Sequence, residues 1–172
     1  MSTLFFEEIA LRVEFKLKFR DLYMYNLMHQ LSSITIHLFI AFVPFVFALF
    51  AGEGESVLVT TMNAVVVYFA SWLLHFLFLF VFLATSDKRT MLAAKVLELH
   101  EDALFEESRF NKSYHYWQGI LKAVRRPGFM AIYTSGLAAH VIPNRAFSTT
   151  ADRTQFWSVL NSRLNISRRT HQ

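Results

Sequence analysis

Two stretches without a single charged residue, 22–52 and 56–86, stand side by side in this chain, separated only by Glu53-Gly54-Glu55. A bilayer-spanning helix needs about 20 mostly apolar residues, so each stretch is long enough to cross once. The connection is too short for anything but an antiparallel helical hairpin. We therefore expect crossings at about 32–50 and 62–84, a short external turn at 52–56, and residues 57–61 as an outer turn of the second helix. Pro44 falls inside the first crossing and is expected to kink it, because proline removes a backbone donor.

All 17 Lys and Arg residues lie outside the two stretches, at 12–20 and from Lys88 onward. The positive-inside rule makes that side cytoplasmic, with both termini on it and the chain multi-pass. The net charge of +4 then reads as an insertion signal. No basic run is interleaved with aromatic residues as a stacking platform requires, so no nucleic-acid partner is expected. Cysteine is absent, which excludes disulfides, thiolate metal sites and a thiol nucleophile. Residues 1–8 lack a basic segment followed by an apolar one, so no cleaved signal peptide is expected.

Residues 11–20 alternate apolar and charged without a fault. Period two places Leu11, Val13, Phe15, Leu17 and Phe19 on one face of a half-buried strand. Its partners must lie beyond the hairpin, so residues 1–21 and 87–164 are expected to form one domain interrupted by the membrane insert at 22–86. After the insert, 95–100 and 103–108 read as a β-hairpin turning at Glu101-Asp102, and 109–113 as a loop. Residues 114–125 fit either a short helix or a strand. Pro127-Gly128 signals a turn, and 129–133 and 137–142 read as strands. Residues 152–164 carry Phe156, Trp157, Leu160 and Leu164 at helical spacing, with Thr149 or Thr150 as cap. Residues 165–172 read as a frayed basic tail.

The order His100-Glu101-Asp102-Ala103, Trp117-Gln118-Gly119-Ile120, the strand at 129–133, and Val141-Ile142-Pro143-Asn144-Arg145-Ala146-Phe147 before a last helix resembles the YcxB-like family. The resemblance implies a small bacterial inner-membrane protein with two membrane helices. It also implies an α+β fold in which the hairpin is inserted after the first strand of a pleckstrin-homology-like domain closed by a C-terminal helix. It supplies no catalytic residues.

The residues themselves carry little chemistry. There is no phosphate-binding glycine loop, no metalloprotease motif and no nucleophile elbow. The carboxylates of Glu101-Asp102 and Glu106-Glu107 are neighbours on strands, point to opposite faces, and read as solvated charges. His100, His115 and His140 sit in separate elements that could meet, but no ligand spacing marks a metal site. Neither cofactor nor metal is expected, and the chain does not read as an enzyme. Polar groups inside a membrane span are candidate contacts by default, here His37, Asn63, Ser71 and His75. Arg125, Arg126 and Arg145 are the candidate cytoplasmic contacts. The expected function is a non-enzymatic inner-membrane binding protein, most concretely an immunity-type protein that neutralises a membrane-acting toxin through its helices. The alternative is a membrane-tethered regulatory or scaffold module whose cytoplasmic domain binds a peptide or lipid headgroup. The partners are the bilayer and a protein, with homo-oligomerisation open.

Overall fold

The computed structural model describes residues 11–51, 54–87, 89–136 and 138–169. The expectations for residues 1–10, for Gly52 and Glu53 of the turn, for Leu137 and for the last three residues lie outside that set. The chain divides into a sheet unit, residues 1–21 with 88–172, and a helix unit, residues 22–87.

Among the described residues, seven antiparallel strands and the C-terminal α-helix build the sheet unit. The first sheet has the order β1-β2-β3-β4, with β1 Leu11–Lys16, β2 Ala94–Leu99, β3 Ala103–Ser108 and β4 Lys112–Tyr116. The second has the order β5-β6-β7, with β5 Lys122–Arg126, β6 Phe129–Tyr133 and β7 Ala139–Pro143. Strand β1 pairs with β2 from Leu11↔Leu99 to Lys16↔Ala94, across the whole insert. Its alternation buries Val13 and Phe15 while Arg12, Glu14 and Lys16 stay exposed. The strand stops four residues before the alternation does. Asp21 accepts a hydrogen bond from the Lys18 backbone N–H at 2.7 Å, which caps a helix, α1 (Phe19–Leu31), and overrides the β pattern at Phe19 and Arg20.

Residues 112–116, at the edge of the first sheet, are a strand where the sequence suggested a loop passing into an undecided segment. A single turn of 3-10 helix, Trp117–Gly119, then leads to β5. The indole N–H of Trp117 donates to the carbonyl of Glu101 at 2.9 Å, and its backbone N–H to Asp102 at 3.2 Å. Trp117 thereby fixes the β2–β3 turn. Between β5 and β6 the chain reverses over Pro127-Gly128, where Gly128 takes φ 92°, a left-handed conformation that residues with a Cβ adopt with strain.

The last helix, α4 (Thr150–Arg169), starts with a reciprocal cap. The Asp152 N–H donates to Thr149 Oγ1 at 3.1 Å, and the Thr149 N–H to Asp152 Oδ2 at 3.0 Å. Phe156, Leu160 and Leu164, four residues apart, are buried together with Leu97, Leu104, Met130, Ile132 and Ile142. The helix runs five residues past Leu164, so most of the expected basic tail is helical, with Arg168 and Arg169 complementing the C-terminal end of its dipole. Arg168 also donates to the carbonyl of Leu121 at 2.7 Å, which holds that last turn against the sheet unit.

The helix unit comprises the rest of α1, α2 (Ile34–Ala51) and α3 (Val57–Thr85), α3 being capped by Ser56. Helix α3 has 29 residues, a mean hydropathy of 2.3 over its most apolar window and 11% of that window buried, and is long and apolar enough to span a membrane. At 18 residues α2 is about 27 Å long, slightly under the hydrocarbon thickness. Together α1 and α2 pass the same test as a pair bent by 72°. That break falls at Ser32-Ser33, whereas α2 continues through Pro44.

Within the sheet unit, Arg145 donates to both oxygens of Asp21, at 2.6 and 2.5 Å, and to the Lys16 carbonyl at 3.0 Å. Burial alone pushes the Asp21 carboxyl up, but the guanidinium and the Lys18 N–H outweigh it and hold the pKa below the usual 3.8. Arg145 is 41% exposed, so screening limits the pair to about 1 kcal/mol. A double-mutant cycle of Asp21→Asn and Arg145→Gln, followed by urea unfolding of the detergent-solubilised chain, should give that coupling at pH 7. Since the folded pKa lies below the unfolded one, the coupling should be present above pH 4 and fade as pH falls below it.

Candidate functional site

Two polar residues of the helix unit, His37 and His75, converge on the 72° corner. Leu31 ends α1, and its carbonyl has lost its helical donor; His37, one turn into α2, places Nε2 2.9 Å from it. A carbonyl only accepts, so Nε2 carries the proton and Nδ1 accepts from the Tyr68 hydroxyl of α3 at 3.1 Å. The imidazole lies 4.9 Å from the buried ring of Trp72. His75 Nε2 stands 2.6 Å from Gln30 Oε1 in the last turn of α1, and by the same reasoning donates to it. Two histidines from two helices thus hold one bend. Ser71 bonds back to the Val67 carbonyl at 2.8 Å, and Asn63 reaches Glu55 at 3.5 Å near the start of α3. All four candidate contacts are thus engaged with the unit's own backbone and side chains, Asn63 by the longest bond. Lipid-like exposure falls instead to apolar rings such as Phe39, 76% exposed, and Phe50, 79% exposed.

The candidate cytoplasmic contacts separate in the same way. Arg145 is committed to Asp21. Arg125 lies with its guanidinium 5.6 Å from the Trp157 ring of α4, a cation–π contact. Arg126 stands exposed beside the Pro127-Gly128 turn. The segment around Arg145 is a structural knot. Pro143 ends β7 fully buried, the Asn144 N–H donates to the Gly128 carbonyl at 2.8 Å, and Phe147 packs 5.3 Å from Phe156. The Asn144 amide, turned so that its oxygen meets donors, accepts from Gly128 N–H and Arg153 Nη1, both at 3.2 Å.

A second polar cluster sits inside the sheet unit. Glu106 occupies the middle of β3 opposite the fully buried Leu97, and is itself only 9% exposed, which corrects the reading of Glu106-Glu107 as a solvated pair. Its Oε1 accepts from Lys95 Nζ at 2.6 Å, and its Oε2 contacts His140 Nδ1. His140 comes from β7 of the other sheet. His115, diagonal to Glu106 across the β3–β4 ladder, meets the His140 ring at a tilt of 57° with centroids 4.5 Å apart. His115 and His140 therefore do meet, with Glu106 as their third member. His100 stays apart, bonded to Glu98 at 3.1 Å. One donor atom from each of Glu106, His115 and His140 lies within 4.8 Å of the other two. Burial pushes the Glu106 carboxyl up, but His140 and Lys95 together bring it down to about 2. Burial, with His140 adding to it, lowers the pKa of His115, against the smaller opposite pull of Glu106. The signal in the sequence was a carboxylate at an inward position of β3, in register with Leu104.

A cleft of about 540 Å³ opens elsewhere on the sheet unit between the β2–β3 turn and α4, lined by Glu101, Asp102, Tyr116, Trp117, Gln118 and Arg163 among others. Tyr116 is 64% exposed there.

Residues 99–156 match the family model described as YcxB-like protein. The match covers the Trp117 lock, the buried cluster and the Asn144-Arg145 knot, and leaves out β1 and the helix unit. No curated protein and no solved structure matches the chain.

Replacing Glu106 by Ala should cost about 3 kcal/mol at pH 7, because Lys95 loses a buried counter-charge and His140 its carboxylate partner. The folded pKa, about 2, lies below the unfolded 4.5, so this stability is full above pH 4.5 and lost as pH falls toward 2. Urea midpoints of the parent and Glu106→Ala chains should converge over that window.

Proposed function

We propose that this chain is a membrane-tethered, non-enzymatic binding module of the bacterial inner membrane. In this reading the helix unit is a multi-pass anchor, both ends of the chain face the cytoplasm, and the sheet unit is a pleckstrin-homology-like domain that binds a peptide segment of a partner protein. One observation carries it. His37 and His75 make interhelical bonds within the helix unit and Ser71 bonds back to its own helix, so the polar groups that would give an intramembrane partner specificity are already engaged. The open polar surface belongs to the sheet unit, whose cleft presents Glu101 and Asp102 beside an exposed tyrosine, a lining suited to a peptide bearing a basic residue. Seven antiparallel strands in two sheets with one C-terminal helix support the pleckstrin-homology-like assignment. The absence of Lys and Arg from residues 22–87 supports the orientation.

The immunity-type reading rests on the exposed Phe side chains of α2 and α3, which could pack against a toxin helix as well as against lipid. Exchanging residues 22–87 for an unrelated apolar hairpin separates the two. Crosslinking in native membranes should recover the same partner from the exchanged chain, and Glu101→Lys with Asp102→Lys should lose it. A partner, or toxin protection, that follows the original helices would replace the tethered-module reading with the immunity reading.

A further inference from the structure

We propose that Glu106, His115 and His140 form a zinc site that links the two sheets of the sheet unit. The donors are a carboxylate and two imidazoles, the oxygen and nitrogen set that Zn²⁺ takes with three protein ligands and one open position. A tetrahedral ion with bonds of about 2.0 Å holds its donors about 3.3 Å apart. The present spacing, within 4.8 Å, is wider by up to about 1.5 Å, so binding draws the three side chains together.

Three features separate this cluster from an ordinary buried ion pair. Two of its members come from the paired strands β3 and β4 and the third from β7, so the ion joins two sheets that share no ladder. His140 Nε2 is buried and finds no hydrogen-bond partner among the described residues, although a ring in a structural salt bridge normally satisfies both nitrogens. The third feature is access: His115 lies on β4, the edge strand of its sheet, and is half-buried, giving an ion a route that Glu106 and His140, with side chains 11% and 14% exposed, do not offer. Ser113 Oγ, 3.2 Å from His115 Nε2, is placed to orient that ring.

Lys95 is the opposing element. Its ammonium holds Glu106 Oε1 and competes electrostatically with a cation, while Oε2 stays on the histidine side. The site is therefore tuned toward weak, exchangeable binding, and the competition gives the proposal a signature that no merely structural salt bridge shares. Removing Lys95 should weaken a salt bridge but strengthen a metal site.

The test uses the full, untagged chain in detergent, titrated with Zn²⁺ against a chromophoric chelator and with Co²⁺ for its visible spectrum. One Zn²⁺ per chain is expected, with intense tetrahedral Co²⁺ absorption and a melting temperature that rises with added Zn²⁺. His115→Gln, exposed enough to leave the fold intact, should lower the affinity at least tenfold, as should His140→Gln. Lys95→Met should raise it about tenfold. A parent chain that takes up no Zn²⁺ at micromolar concentrations, or Zn²⁺ that stays bound to the His115→Gln/His140→Gln chain, overturns the proposal.

Discussion

The fork that Arg145 closes on Asp21 and the Lys16 carbonyl is a modest contact in energy, but it sets where the chain leaves β1. The chain leaves β1 at Lys16 and turns into α1, and the same guanidinium fixes both sides of that exit. Arg145 can do so because Pro143 ends β7 and Asn144 ties the following turn to Gly128. One planar group thus joins the first strand to the end of the last. Lysine, a single point charge, would not span the three acceptors.

The helix unit answers a different constraint. A 72° corner between α1 and α2 leaves terminal backbone groups without helical partners, and apolar surroundings make such groups costly. The Leu31 carbonyl is satisfied by His37, and α1 is held to α3 through Gln30 and His75. The two histidines therefore serve the bend first. Both imidazoles do so as hydrogen-bond partners of oxygen atoms on α1.

Much of this was legible in the chain itself. Alternation from Leu11 announced a strand, and its lack of a local partner required pairing beyond the insert, which Leu11↔Leu99 provides. The two charge-free stretches announced α2 and α3, but not the 72° break at Ser32-Ser33 that sets α1 apart from α2. The misses share a cause. Periodicity reports which face a residue occupies but not what faces it, so Glu106 looked solvated although its inward neighbour is Leu97. Arg145 looked available because Asp21, its partner, lies 124 positions away in the chain. The pairing of His115 with His140 depends on how two separate sheets stack, which no spacing within either strand encodes.

The register Lys16↔Ala94 also sets a timetable. A ribosome moving at about 5 to 20 residues per second makes β1 roughly 4 to 16 s before the end of β2 appears. In that interval β1 is an unpaired strand with an apolar face. The charges of Arg12, Glu14 and Lys16 on its other face protect it from pairing with the wrong chain, as they do on a finished sheet edge. Both long apolar helices are complete before the first strand finds its neighbour, so the sheet unit is the last part of the molecule able to close.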